Sequence, residues 1–156
     1  MLKTYELIDC TNTVFSAFIV CSAILVLKML AMSYLTSNQR FRTQTFSSPE
    51  DAVFSERSEV NFDNEDVNRV RRAHRNDMEN ILPYLTIGLL YVLTDPLPWV
   101  AKSCFVTATV ARILHTIVYA VYVIRQPARA ICFYVQWIIT IYFAVATILF
   151  YGRYLV

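Results

Sequence analysis

One stretch of the sequence restricts the possible folds more than any other: the charged segment 67–80 runs without a loop signal into the apolar segment 81–94. The apolar part has 14 residues, and at about 1.5 Å per residue it covers roughly 21 Å of a hydrocarbon core about 30 Å thick. Residues 95–98, Asp-Pro-Leu-Pro, stop it on the far side. The missing length must therefore come from upstream, which places Arg75 and Glu79 at membrane depth, where ionisable groups are costly and usually functional.

The composition agrees with a membrane location. The chain has 156 residues, 56% of them apolar, and a mean hydropathy of +0.44, which is too hydrophobic for an ordinary soluble domain. We predict one all-α integral membrane domain over residues 1–156, folded as a four-transmembrane-helix bundle. The expected spans are about 14–35, 72–93, 98–124 and 130–151, with a cytosolic loop over 36–71.

The arginines predict the orientation of these spans. Nine basic residues lie in the loop before Asn76 and in the connection 125–129, whereas Lys3, Lys102 and Arg153 are the three on the other side. Because basic loops stay in the cytosol, both termini are expected across the membrane.

The second span carries a polar stripe. Arg72, Asn76, Glu79 and Pro83 share one helix face, and Arg75 precedes Glu79 by four residues. We expect this stripe to face protein rather than lipid. Two interpretations remain: ion pairs that hold a bundle together, or a binding site for a small, highly charged ligand.

The other spans supply further polar groups at the same level. Arg112, His115 and Tyr119 share a face of span three, which Tyr122 is expected to extend. Arg112 has no acid in its own span, so Glu79 is its expected partner.

Two more cations are notable. Lys28 lies about two turns before the cytosolic end of span one, where it can either extend to lipid headgroups or serve a structural role. Arg129 stands at the start of span four, where the helix dipole adds to its positive field and favours a thiolate.

Together these groups suit a ligand with two carboxylates and one amine, a pattern that glutathione has. Arginines can bind the carboxylates, Glu79 can accept the amino group, and Asn76 can bind the peptide amides. The four cysteines lack metal or paired spacing, so no metal site is expected. Interleaved acids and membrane depth argue against nucleic-acid binding.

Segments 49–51, 69–80 and 111–119 resemble the MAPEG family, the membrane-associated proteins of eicosanoid and glutathione metabolism. The resemblance is strongest to the branch of microsomal glutathione transferases and inducible prostaglandin E synthases. It implies a homotrimer in the endoplasmic reticulum membrane, with the mitochondrial outer membrane as a second location. Glutathione would then lie between neighbouring subunits near the cytosol.

The resemblance also assigns residues. Arg129 and Asp51 correspond to the groups assigned to chemistry, and Arg112 to a buried structural arginine. The glutathione contacts correspond to Arg40, Arg72, Arg75, Asn76, Glu79, His115, Tyr119 and Arg129. Three positions depart from the pattern: Ala130 replaces a serine of the synthases, Phe133 a tyrosine, and Asn68 an acid found in both groups.

The leading expectation is a glutathione transferase and peroxidase acting on lipophilic electrophiles that arrive from the bilayer. The alternative is a glutathione-dependent isomerase that converts prostaglandin H, an endoperoxide, to prostaglandin E. A third possibility is a non-enzymatic membrane scaffold that presents lipids.

Overall fold

The structure, a computed structural model, describes residues 3–54 and 58–155, and most of them lie in four long helices. A short helix α1 (Thr4–Leu7) comes first. The long helices are α2 (Thr13–Thr43), α3 (Glu65–Val92), α4 (Pro98–Thr116) and α5 (Ala128–Gly152). A π-helical turn, Ile117–Val121, continues α4.

Side-chain caps explain where two of these helices begin. Asn12 accepts a hydrogen bond from the backbone N–H of Val14, which starts α2. Asn64 accepts from the N–H groups of Asp66 and Val67, so α3 begins at Glu65, seven residues before the predicted span. Helices α2 and α3 therefore take up both ends of the segment 36–71 that was predicted as a loop.

The connection between α2 and α3 holds a small parallel pair of strands. Strand β1 (Thr45–Phe46) pairs with β2 (Glu59–Val60), with Thr45 opposite Glu59. A 3-10 turn, Asp51–Phe54, lies in the segment between the two strands.

The four long helices form a ring in which α2 contacts α3 and α4, and α5 contacts the same two helices. The consecutive helices α3 and α4 barely touch, because they lie across the ring from each other. Because the long helices alternate in direction, the start of α3, the end of α4 and the start of α5 lie at the same end of the molecule. The π-helical turn after α4 contacts both α3 and α5 there.

Three helical segments within the described residues are long and apolar enough to cross a membrane: Thr13–Thr43, Pro98–Val121 and Ala128–Gly152. Helix α3 is not among them, because its charged first half lowers its hydropathy. The chain is thus a mostly helical membrane protein.

An aromatic core fills the half of the bundle away from the site. The rings of Tyr91 and Phe143 stack with their centroids 4.4 Å apart, and the Phe105 ring lies 5.3 Å from that of Phe143. Gly88 allows the close approach of α2, since a Cβ there would lie 3.0 Å from Cε2 of Phe18.

Candidate functional site

A polar cleft of about 320 Å³ opens where the start of α5 meets α3 and the end of α4. It brings together four of the residues predicted from the sequence, one or more from each element. The lining residues are Asn76, His115, Tyr119, Gln126, Arg129, Ala130, Phe133 and Tyr134.

Arg129 is held in this cleft by an aromatic ring. Its guanidinium carbon lies 4.3 Å from the centroid of the Tyr119 ring, a cation–π contact. Arg129 is the second residue of α5, so the positive end of the helix dipole adds to its charge. Gln126 accepts a hydrogen bond from the N–H of Ala130 at 3.2 Å and so caps the same turn. The arrangement concentrates positive potential in the cleft and suits an anion.

Tyr119 owes its position to the π-helical turn. Its ring packs against a small cluster of Met32, Val70 and Ala73, and its centroid lies 5.5 Å from that of His115. The extra residue of a π turn rotates whatever follows. Tyr122 consequently leaves the helix and is 70% exposed, so the prediction that it extends this face is wrong.

His115 forms the floor of the cleft. It is 2% exposed, and its Nδ1 has no hydrogen-bond partner among the described residues. A buried ring nitrogen of this kind can serve a bound ligand.

Behind the cleft lies a buried ionic triad of Lys28, Asp77 and Arg112. Lys28 forms an ion pair with Asp77, and Nη1 of Arg112 lies 4.0 Å from Oδ1 of the same carboxylate. Asp77 and Arg112 are fully buried. One prediction is therefore wrong: Asp77, not Glu79, is the acidic partner of Arg112. Of the two roles left open for Lys28, the structure shows the structural one, because its side chain pairs with Asp77 inside the bundle.

The triad is tied to the cleft by amides. Nη1 of Arg112 donates to Oδ1 of Asn76 at 2.9 Å, and Nε donates to Oε1 of Gln136, also at 2.9 Å. Gln136 in turn donates to the carbonyl of Asn80 at 3.2 Å. Asn76 is thus both a cleft residue and part of the buried network.

Asp77 and Gln136 were not predicted from the sequence. A signal for Asp77 was present, because it falls in register with the buried apolar residues Val70, Ala73, Ile81 and Tyr84 of α3. An acid on the apolar stripe of a helix implies a buried cation nearby. Gln136 had no comparable signal.

The other members of the polar stripe point away from the bundle. Arg75 lies 3.8 Å from Glu79, and their side chains are 73% and 63% exposed. Arg72 donates to Glu65 at 2.6 Å and lies close enough to Tyr119 to interact with it. Within one subunit, the expectation that the stripe faces protein therefore holds for Asn76 but not for Arg75 and Glu79.

A second, larger groove of about 610 Å³ runs along this outer face between α2 and α3. It is rich in cationic groups. Its lining residues are Ser33, Thr36, Asn68, Arg71, Arg72, His74, Arg75 and Met78.

Three of the residues predicted for catalysis or glutathione binding line neither space: Arg40, Asp51 and Glu79. Arg40 is partly buried near the end of α2. Asp51 is exposed in the 3-10 turn, where its carboxylate accepts a 2.6 Å hydrogen bond from the hydroxyl of Ser48. Residues 3–54 and 58–155 contain no group of three or more metal-ligating side chains that could hold an ion.

The model of the MAPEG family matches residues 18–149. Microsomal glutathione S-transferase 1 of Homo sapiens is 42% identical over 134 residues, 83% of this chain and 86% of that protein. Prostaglandin E synthase of Equus caballus is 40% identical, and that of Homo sapiens 38%, each over 117 residues, 75% of this chain and 76% of the relative.

Proposed function

This chain belongs to the MAPEG family, and from that premise we propose that it is a microsomal glutathione S-transferase and peroxidase that acts on lipophilic electrophiles. The observation that carries the proposal is the Arg129 guanidinium, fixed 4.3 Å from the Tyr119 ring at the start of a helix and in the same cleft as Asn76 and His115.

The chemistry follows from the state of the thiol. A free thiol with a pKa of about 8.5 is only a few per cent thiolate at pH 7. A guanidinium beside the sulfur, aided by a helix dipole, lowers that pKa by about 2, which is worth about 2.7 kcal/mol. The thiolate then attacks the electrophilic carbon: a C–S bond forms, and the leaving group departs with its bonding pair.

Arg129 stabilises the thiolate in this proposal, and Asp51 is the second group assigned to chemistry. The tripeptide is held by Arg40, Arg72, Arg75, Asn76, Glu79, His115 and Tyr119. Because Asn76, His115, Tyr119 and Arg129 share a cleft, they hold the part of glutathione nearest the sulfur.

We also propose that the active unit is a homotrimer of four-helix subunits. The exposed Arg75–Glu79 pair and the cationic groove beside it support this assembly, since such charges on a membrane helix need cover other than lipid. Glutathione would lie between neighbouring subunits, which brings the outward arginines of one copy to the cleft of the next. In this arrangement α3 is the fourth membrane span.

The location proposed is the endoplasmic reticulum membrane, with the site at the cytosolic side. The excess of nine basic residues over three supports that orientation. Lipophilic substrates then enter from the bilayer.

A second candidate function is a glutathione-dependent prostaglandin E synthase. It is favoured by the synthase relatives at 38% to 40% identity. In that reaction the thiolate attacks one oxygen of the endoperoxide of prostaglandin H, so that an S–O bond forms as the O–O bond breaks. Loss of the proton on the carbon that bears the sulfur-bound oxygen then forms the ketone, breaks the S–O bond and regenerates glutathione.

Turnover of purified protein with glutathione separates the two. We expect conjugation of a chlorinated nitrobenzene to exceed conversion of prostaglandin H. Turnover of prostaglandin H without turnover of the nitrobenzene would instead favour the synthase over the transferase. Ala130→Ser supplies a hydroxyl beside Arg129. If the protein is a synthase, this change raises isomerisation about tenfold, the worth of a hydrogen bond to a charged group.

Arg129→Leu tests the role of the guanidinium directly. We expect it to abolish the ultraviolet absorbance of the thiolate on glutathione binding and to leave the oligomeric state unchanged. Arg153→Leu is the matched control, because Arg153 makes a similar contact with Phe150, at 5.3 Å, at the opposite end of α5. An unchanged thiolate signal in Arg129→Leu would reject the assignment.

A further inference from the structure

We propose that Gln136, which does not line the cleft, is a positioning residue for glutathione binding: acting through Arg112, it fixes the amide of Asn76 so that Nδ2 faces the cleft as a hydrogen-bond donor. The ligand group opposite Nδ2 is then an acceptor, a carboxylate or a peptide carbonyl. This inference rests on the proposed function and concerns the same cleft.

The orientation of Asn76 follows from the chemistry of its partner. A guanidinium has donors and no acceptor, so the atom of Asn76 that lies 2.9 Å from Nη1 of Arg112 must be the oxygen. With Oδ1 occupied in this way, Nδ2 is the polar side-chain atom of Asn76 left for a ligand in the cleft.

The same reasoning fixes Gln136. Its Oε1 lies 2.9 Å from Nε of Arg112, which can only donate. Its Nε2 therefore faces the opposite way, where it donates to the Asn80 carbonyl at 3.2 Å and to the Thr140 hydroxyl at 3.1 Å. Gln136 is 1% exposed, so neither end of this amide can exchange its partner for bulk water.

Gln136 determines the position of Arg112 because a negatively charged group, the Asp77 carboxylate, also attracts the guanidinium. Nη1 of Arg112 lies 4.0 Å from the Asp77 carboxylate, longer than a hydrogen bond, in an interior where charges attract strongly. The hydrogen bond to Oε1 of Gln136 keeps the guanidinium at this distance from Asp77. Without that acceptor, Arg112 moves toward Asp77, and the amide of Asn76 is free to turn its oxygen to the cleft, where it repels an acceptor on the ligand.

The first experiment compares Gln136→Leu, which removes both ends of the amide, with Gln136→Glu, which keeps an acceptor for Arg112. Thr147→Val on the same helix is the matched control, because the Thr147 hydroxyl donates only within α5, to the Phe143 carbonyl. The measurements are the Kd for glutathione by equilibrium dialysis, the two KM values and kcat with a chlorinated nitrobenzene.

For Gln136→Leu we expect the Kd and KM for glutathione to rise about tenfold, the cost of one lost hydrogen bond to a charged group. The KM for the electrophile and kcat at saturating glutathione should stay at wild-type values. Gln136→Glu should restore glutathione binding to within about threefold, and Thr147→Val should not change it. A purely structural role would move kcat and both KM values together, and that result overturns the proposal.

A second variant keeps the test decisive if Gln136→Leu does not fold. Asn76→Asp is nearly isosteric and still pairs with Arg112, but it presents an oxygen to the cleft instead of a donor. We expect at least a tenfold weaker Kd for glutathione, and wild-type affinity would overturn the proposal. If the wild-type protein itself binds no glutathione, the proposed function fails and this inference falls with it. If the wild type binds glutathione, and Gln136→Leu and Asn76→Asp bind it with wild-type affinity, only the inference about Gln136 is rejected.

Discussion

Asp77 is the carboxylate that counters the charge of two buried cations, and replacing it tests whether charge balance stabilises the interior of the bundle. Lys28 forms an ion pair with it, and Arg112 lies 4.0 Å away on the other side. The side chains of Asp77 and Arg112 are 0% exposed, and that of Lys28 is 9% exposed. Asp77→Asn keeps the shape but leaves two cations without a counter-ion. Lys28→Met instead leaves one carboxylate facing one guanidinium.

The two changes should therefore differ in cost. Removing one member of a buried ion pair so that charge is left uncompensated costs about 3–5 kcal/mol. Lys28→Met, which leaves a balanced pair and replaces a charged stem with an apolar one, should cost about 1 kcal/mol. For a chain of this size, 1 kcal/mol shifts Tm by about 2–4 °C. We expect Asp77→Asn to lower Tm by about 10 °C and Lys28→Met by about 3 °C.

Thermal unfolding in detergent, followed by helical circular dichroism, measures both shifts. The double variant Lys28→Met with Asp77→Asn should be more stable than Asp77→Asn alone, because one of the two unpaired cations is gone. If Asp77→Asn costs no more than Lys28→Met, or if the double variant is the least stable, the triad does not work by charge balance.

Two further predictions concern packing and the cleft. Gly88→Ala should lower the free energy of unfolding by about 1–3 kcal/mol, because the added Cβ would lie 3.0 Å from Cε2 of Phe18. Gly152→Ala is the matched control: nothing lies within 4 Å of its Cβ, so the free energy of unfolding should change by under about 0.5 kcal/mol. Equal losses of stability in the two variants would contradict this packing argument. Tyr119→Phe keeps the ring over Arg129 and should keep most of the thiolate absorbance. Tyr119→Leu should reduce that absorbance several-fold, since a cation–π contact is worth about 0.5–2 kcal/mol. The same absorbance from both variants would show that the ring does not hold the guanidinium.

Much of the cleft was predictable because antiparallel connectivity brings the first half of α3, the end of α4 and the start of α5 to one level. His115, Tyr119 and Arg129 lie at or near helix ends, and Asn76 lies about three turns inside α3. The mostly helical membrane fold follows from hydropathy in the same way, and the comparisons with known proteins confirm the family.

The orientation of α3 was not predictable from its own spacing. Its polar stripe and its apolar stripe are both regular, and either could have faced the bundle. What decides is the pair of cations that meet Asp77 inside the ring, Lys28 on α2 and Arg112 on α4, which turn Asp77 inward and so turn Arg75 and Glu79 outward. A choice of this kind depends on partners far away in the chain, which no local pattern records.

The ring order of the helices has a consequence for biosynthesis. A ribosome delivers α3 and α4 in succession, yet these two lie on opposite sides of the ring, so they cannot settle as a stable hairpin on their own. The nascent chain must hold Arg112 without its Gln136 acceptor until the final helix emerges. Completion of the bundle therefore waits on the last 25 residues of helix, Ala128–Gly152, and a chain truncated before them would be a substrate for quality control rather than a smaller enzyme.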